Sequence, residues 1–408
     1  MKLLKSSLSE VMKYANIIFL FLFSVHLFNF PDKFILIWCA FAIGVFGLLN
    51  KKLCLDKVFF VLAAAVVLNG LGTYYYLGKN LNYSWGDIIK LTIPVIMVYP
   101  FMKQAVYNKE SAYVEKIILA IVLGTFVYSM LNYYSFLVHG FTGKGRIWSE
   151  FWTDYPMNAT HHSYWGCFIA GMSGYVIYSF SEKKWIRGII FAGLIVMENI
   201  AQAAADNRMV LCVTLVAFVV GLFLYFVFNP KNKKAIKNAS IFLLAVMAIV
   251  AIVIALNVGG IRTSGYFYRF MTRDGGILKN IRFQMIYEAI MKIPSHWKGG
   301  ATMYAAGVYW VHNYWLQVAN VSGVIPFALW MVVNVAAVID TVKLIKSPYV
   351  SMNIKYMVVP ILASIVGYLM MEPGGTESNR YIIFYVLLVA LLKQLTSNNK
   401  KDIGVKNV

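Results

Sequence analysis

The chain has 408 residues, 60% of them hydrophobic and 13% charged, with a mean hydropathy of +0.67 and a formal net charge of +20. Soluble domains are about 45–50% apolar and about 25% charged, so a soluble core is excluded and the surplus apolar surface must face lipid. The cysteines Cys39, Cys54, Cys167 and Cys212 form no CxxC or Cys/His spacing, which leaves neither a disulfide framework nor a metal ligand set to read.

In chain order, "MKLLKSSLSEVMK" leads into an apolar run with no A-x-A-like cleavage site behind it, so a retained first span is expected. Apolar cores then fall at 14–30, 34–49, 58–77, 88–102, 117–138, 161–180, 185–205, 210–228, 239–258, 311–339, 356–371 and 381–392. Lipid offers backbone groups no hydrogen-bond partner, so these cores must be helices. The expectation is an all-α polytopic membrane protein of about twelve spans, one integral domain over 1–408, with a long loop at 259–310.

An even span count puts both termini on one side. That side carries 23 Lys/Arg against 14 on the other, and 7 of those 14 lie in the long loop, which counts little in the positive-inside rule. Both termini are therefore expected in the cytoplasm, and the long loop outside. No G-x-x-x-x-G-K-[ST] or G-x-G-x-x-G pattern occurs, so no nucleotide is expected. The net charge comes mostly from inner lysines and does not imply nucleic acid.

Two residue types break this pattern. Of eight arginines only Arg187 maps inside; Arg146, Arg208, Arg262, Arg269, Arg273, Arg282 and Arg380 map outside. All six histidines map outside or to the outer half of a span. Topology requires neither. Arginine recognises phosphate or carboxylate bidentately, and histidine exchanges protons near neutral pH. The outer face therefore reads as the working face.

Four outer stretches carry candidates. "MNATHHSYWG" (157–166) offers His161 and His162 as sugar or headgroup contacts, beside interface anchoring by Tyr164 and Trp165. "VMENIAQAAADNRMVL" (196–211) puts Glu198 in a costly apolar setting and Arg208 at a tight outer turn, where it could bind anionic substrate at a cavity rim. In the long loop, Ile277 to Ile293 has helical periodicity, with Asp274 as its cap and Pro294 as its stop. Such a helix could lie on the membrane surface and touch lipid headgroups, or carry an anion site built from Arg262, Arg269 and Arg282. Finally, "YWVHNYWLQVANVSGVIP" (309–326) begins with His312 and Asn313. On a continuous helix, Gly323 would come round within about 20° of His312 and Pro326 within about 40°, which predicts one shared stripe packed against other helices.

His312, Asn313, nine residues, Gly323, two residues and Pro326 resemble the signature of the O-antigen ligase family, within the O-antigen ligase/polymerase superfamily. That signature has His, then Asn, Ser or Gln, nine residues, Gly, two residues, then Gly, Thr or Val; Pro326 departs from its last position. Arg208 and Arg282 resemble the family's arginines at an outer turn and in a periplasmic amphipathic helix. The resemblance covers essentially the whole chain and implies a GT-C-like membrane glycosyltransferase of the Gram-negative inner membrane. It would be metal-independent and inverting and would need no cofactor. It would transfer O-antigen from undecaprenyl pyrophosphate to a sugar of lipid A–core on the periplasmic face, completing lipopolysaccharide. Arg208, Arg282 and one of Arg262 or Arg269 would hold the pyrophosphate, and His312 would activate the acceptor or contact the donor. Candidate sugar contacts are His161, His162, Asn313 and Glu198. The same residues also suit an O-antigen polymerase or a protein O-oligosaccharyltransferase using the same donor. A lipid-linked oligosaccharide flippase is the non-enzymatic alternative.

Overall fold

The computed structural model describes residues 2–78, 84–142, 147–153, 155–205, 207–229, 281–300, 311–372 and 380–397. The ninth predicted core (239–258) and Arg146, Arg262, Arg269, Arg273 and Asp274 lie outside them. The described chain is mostly helical. In order, α1 is Lys2–Ser24, α2 Phe30–Asn50, α3 Lys57–Thr73, α4 Trp85–Val106 and α5 Ser111–His139. A small antiparallel hairpin follows, β1 Ile147–Ser149 and β2 Pro156–Asn158. Then come α6 Ala159–Gly171, α7 Ser173–Ser181, α8 Trp185–Ala204, α9 Met209–Phe228, α10 Ile281–Lys292, α11 Tyr314–Ser322, α12 Val324–Lys346, α13 Met352–Met371 and α14 Arg380–Ser397.

Eight helices among the described residues are long and apolar enough to cross a membrane, and two shorter apolar ones cover Phe34–Asn50 and Tyr381–Ser397. The protein is a helical multi-pass membrane protein. Ile37, Phe60, Val196, Val219 and Val335 turn outward from their helices and are more than half exposed, as a lipid-facing belt requires. Buried aromatics fill the centre, with the Trp165 ring of α6 touching both Tyr164 and, across to α14, Phe384.

Predicted core 161–180 is not one helix. It breaks at Met172 into α6 and α7. Both halves run hard against α13: a Cβ at Gly171 would meet the Ile361 backbone at 2.5 Å, and one at Gly174 would meet the Pro360 ring at 2.4 Å. Small residues allow such close helix approach.

One end of the bundle gathers buried charges. Asp56 caps α3 through Phe59 N at 3.0 Å, accepts from the Tyr99 hydroxyl and pairs with Lys103. Burial pushes the Asp56 carboxyl up, but Lys103, Phe59 N and Tyr99 outweigh it and hold it below its ordinary value. Lys393 reaches Asp340 at 3.2 Å. Lys355 donates to the carbonyls of Ile345 and Ser347 at 3.0 and 2.6 Å, a cation at the carbonyl end of α12.

The tenth predicted core departs most from expectation. It is not a continuous helix over 311–339. Gly323 adopts φ +100° and ψ 175°, a left-handed region that glycine reaches without strain. There the chain reverses. In one straight helix Trp315 and Trp330 would lie about 22 Å apart, yet their rings are 5.7 Å apart, and Tyr314 and Trp330 are 5.9 Å apart. Helix α11 thus folds back along the first two turns of α12. The predicted stripe joining His312, Gly323 and Pro326 does not exist, because it assumed an unbroken helix.

The reversal is held by backbone. Gly300 N donates to Val321 O at 3.0 Å, and Val324 N donates to Trp297 O at 2.9 Å. A Cβ on Gly323 would meet the Lys298 carbonyl carbon and oxygen at 2.8 Å. The Ser322 hydroxyl donates to the carbonyl and side-chain oxygens of Asn69, at 3.0 and 2.8 Å. The segment after α10 is therefore stitched to the α11–α12 turn and to α3.

Candidate functional site

The predicted helix at 277–293 is present over its described part, as α10, and it ends two residues before Pro294. Three faces can be read on it. Met285 and Ala289 are buried against α11 and Val311. Phe283, Tyr287, Ile290 and Met291 form an exposed apolar stripe, each at least 43% accessible. Gln284, Glu288 and Lys292 lie between them at helical spacing. Arg282 borders the buried face.

The end of α13 supplies what Arg282 meets. Glu372 closes that helix and is buried, at 2% exposure. One of its carboxylate oxygens lies 2.8 Å from Arg282 Nη1, and the other lies 3.0 Å from His312 Nδ1. Arg282 Nη1 also points to the Met371 carbonyl at 3.5 Å, and Asn313 Nδ2 donates to the Met370 carbonyl at 3.1 Å. The last carbonyls of α13 carry the negative end of the helix dipole. They and Glu372 together hold the cation and the amide.

Asn313 does a second job. It caps α11, its Oδ1 accepting from Leu316 N at 3.0 Å. Gln317 reaches back to accept from Val311 N at 2.6 Å. Residues 311–313 are thereby fixed between α11 and α13 and turn the His312 ring onto Glu372. The predicted His312–Asn313 pair is brought against the end of α13, and its setting is the entry to α11 and not the interior of a span.

The contact between Nδ1 of His312 and the Glu372 carboxyl holds the ring in one orientation and turns Nε2 away from the acid. A carboxylate that holds one imidazole nitrogen also orients the histidine in hydrolytic triads. His312 keeps a quarter of its side chain accessible and Arg282 about a third, whereas Glu372 is closed off. The two groups that could touch a ligand are open, and the one that positions them is not.

Arg208 lies at the head of α9. Helix α9 packs beside α13, with a Cβ at Gly367 placed 3.7 Å from Val213. The helices run in opposite directions, and both Arg208 and Glu372 sit five residues beyond that contact. They therefore stand at one level on neighbouring helices, whose axes are about 8–10 Å apart. The first turn of α6 links the two. Asn207 donates to the Ala159 carbonyl, and the Tyr368 hydroxyl donates to the Thr160 carbonyl at 3.0 Å.

His161 is half-buried near the Tyr381 ring, with centroids 5.8 Å apart. His162 and Glu198 are fully buried, which corrects the expectation that they contact a sugar: a glycan would reach them only if the bundle opened. Arg262 and Arg269 lie outside the described residues. Among the described residues, no group of three or more His, Cys, Asp or Glu could hold a metal ion.

The sequence reading missed Glu372. Its signal was a carboxylate ending an apolar run in "LMMEPGG", where an unpaired acid is costly and asks for a cation. Tyr368 and Asn69, both of which fasten elements around the site, gave no sequence signal beyond polarity in an apolar run.

No family model and no curated protein matches this chain.

Proposed function

We propose that the chain is a membrane glycosyltransferase that moves a lipid-linked glycan onto a sugar hydroxyl, with O-antigen on undecaprenyl pyrophosphate as donor and lipid A–core as acceptor. One observation carries this reading: buried Glu372 bridges Arg282 and His312 at the end of the bundle where Arg208 also stands. A departing pyrophosphate builds negative charge, and arginines arrayed around it can stabilise that charge. An acceptor hydroxyl must give up its proton, and Nε2 of His312, which makes no hydrogen bond to a described residue, is the group assigned to take it. In the step itself, the acceptor oxygen bonds to the anomeric carbon as the carbon–phosphate oxygen bond breaks. The hydroxyl proton passes to His312 Nε2. Undecaprenyl pyrophosphate leaves against Arg282 and Arg208. Attack opposite the leaving group inverts the anomeric centre.

On this reading the site opens to the periplasm of a Gram-negative inner membrane, both termini are cytoplasmic and about twelve spans cross. The excess of inner lysines supports that orientation. The unmatched signature position, Pro326, lies inside α12 beyond the reversal, away from His312.

The test is removal of the protein from its host, with lipopolysaccharide resolved on a gel. The expected result is core-only lipopolysaccharide with accumulation of undecaprenyl-linked polymer. Core bearing a single repeat would instead identify a polymerase. An unchanged ladder would overturn the reading.

A further inference from the structure

A polar cluster that the proposed transfer site does not use is closed inside the bundle. It joins Ser129 of α5, His162 of α6, and Glu198 and Gln202 of α8, none more than 1% exposed. Its hydrogens can be assigned. His162 Nε2 lies 2.9 Å from both the Ser129 carbonyl and the Ser129 hydroxyl. A carbonyl only accepts, so Nε2 carries a hydrogen. The single hydroxyl hydrogen of Ser129 then goes to Glu198 Oε1 at 2.7 Å. Gln202 Nε2 donates to the same oxygen at 2.7 Å. Glu198 Oε1 is thus an acceptor of two hydrogen bonds.

The other half of the cluster is unfinished. Glu198 Oε2, Gln202 Oε1 and His162 Nδ1 are buried without a hydrogen-bond partner. Among the described residues no lysine or arginine pairs with Glu198. The carboxyl is also seated deliberately. A Cβ on Gly166 would come 2.6 Å from Glu198 Oε1 and 3.1 Å from its Cδ, so the notch exists only because residue 166 has no side chain. A bare carboxylate at this depth costs several kcal/mol at least. Something of positive charge must complete it.

We propose that the cluster binds one monovalent cation, a proton or a sodium ion, at Glu198 Oε2. Both place a single positive charge on the one carboxylate oxygen that receives no hydrogen bond. A proton turns Glu198 into a neutral acid. A sodium ion keeps it ionised and draws on oxygen ligands, of which Gln202 Oε1 is unused. The ionisable groups facing the site among the described residues are His162 and Cys167 of α6. Helix α5 offers the Ser129 hydroxyl, and α7 meets α8 at its far end through Tyr175 on Phe191. The cation therefore locks α5, α6 and α8 together. It does so beneath the turn where Asn207 holds Ala159 beside Arg208. The inference is independent of the transfer reaction.

The test is thermal unfolding of the purified full chain in lipid nanodiscs, from about pH 5 to about pH 9, with sodium or choline chloride at equal ionic strength. A group that holds its proton more tightly when folded stabilises below its folded value and loses that contribution above it. A proton site predicts a midpoint that falls with rising pH regardless of sodium. A sodium site predicts a midpoint that sodium raises at alkaline pH. In either case Glu198→Gln, neutral at every pH, should remove the dependence. Equal pH and sodium responses in wild type and Glu198→Gln would overturn the proposal. If that variant fails to fold, the infrared carbonyl stretch of a protonated carboxyl is followed in the wild type instead. It should be present at low pH and vanish with alkali or sodium. Its absence at every pH, with no effect of sodium on the midpoint, would overturn the proposal equally.

Discussion

His312 and Glu372, sixty residues apart in sequence, meet at 3.0 Å through an imidazole nitrogen and a buried carboxylate oxygen. The carboxylate is shared with Arg282, so one acid orients a base and positions a cation at once.

Replacing either member should separate two roles. His312→Ala is expected to lower glycan transfer by about 10²–10⁴-fold, the range for a lost general base, with the protein still folded in the membrane. Glu372→Gln keeps the shape but removes the charge that fixes the ring. It should lower transfer less than His312→Ala does. In vitro transfer with lipid-linked donor measures both, and full activity in His312→Ala would remove the base from the mechanism.

Arg282 has a structural duty besides any ligand. Arg282→Ala leaves Glu372 buried with its cation gone, and such losses run about 3–5 kcal/mol at full burial. Arg282 is about a third accessible, so the expected effect is at the lower end, about 2–3 kcal/mol. The double variant Arg282→Ala/Glu372→Gln should recover much of the stability but none of the transfer. Chemical-denaturant unfolding in detergent reads the first and product gels the second.

Gly323→Ala should be disproportionately harmful. It forces a side chain into positive φ and drives a Cβ into the Lys298 carbonyl at 2.8 Å. The strain alone is about 1–3 kcal/mol. Limited proteolysis should show new cuts between residues 293 and 300, as the stitched segment loosens from α11.

Orientation can be read by labelling. In a background without the native cysteines, a single cysteine at Ser295 should react with a membrane-impermeant maleimide on intact spheroplasts. One at Lys183, in the turn after α7, should react only after lysis. The reverse pattern would invert the topology.

Asp56 gives a pH dependence at the opposite end. Its carboxyl is held below its ordinary value, so its contribution is complete above the unfolded value of about 3.9 and fades as pH falls through the lower folded value. Asp56→Asn should lower the unfolding free energy near neutral pH by about 1–3 kcal/mol, the range for a hydrogen bond to charge. The gap from wild type should narrow below about pH 4.

Much of the helical plan was legible because apolar runs of membrane length leave the backbone little choice. The amphipathic period from Ile281 onward and its stop near Pro294 were likewise local. The reversal at Gly323 was not. Helical periodicity assumes continuity, and nothing in "NVSGVIP" distinguishes a tolerated glycine from a left-handed one until its packing partner at Lys298 is known. His161 and His162 looked equivalent in sequence, but successive helical residues point about 100° apart, so one faces the rim and the other the interior. Glu372 was missed for a different reason: an acid ending an apolar run asks for a cation, but its partners Arg282 and His312 are distant in sequence.

The seam between residues 297–300 and 321–324 is made of main chain against main chain, with Gly299, Gly300 and Gly323 all at positive φ. A joint of that kind carries no side-chain identity for substitution to alter and tolerates no added methyl. A methyl at Gly299 would meet the Val321 carbonyl oxygen at 2.4 Å, and one at Gly323 the Lys298 carbonyl at 2.8 Å.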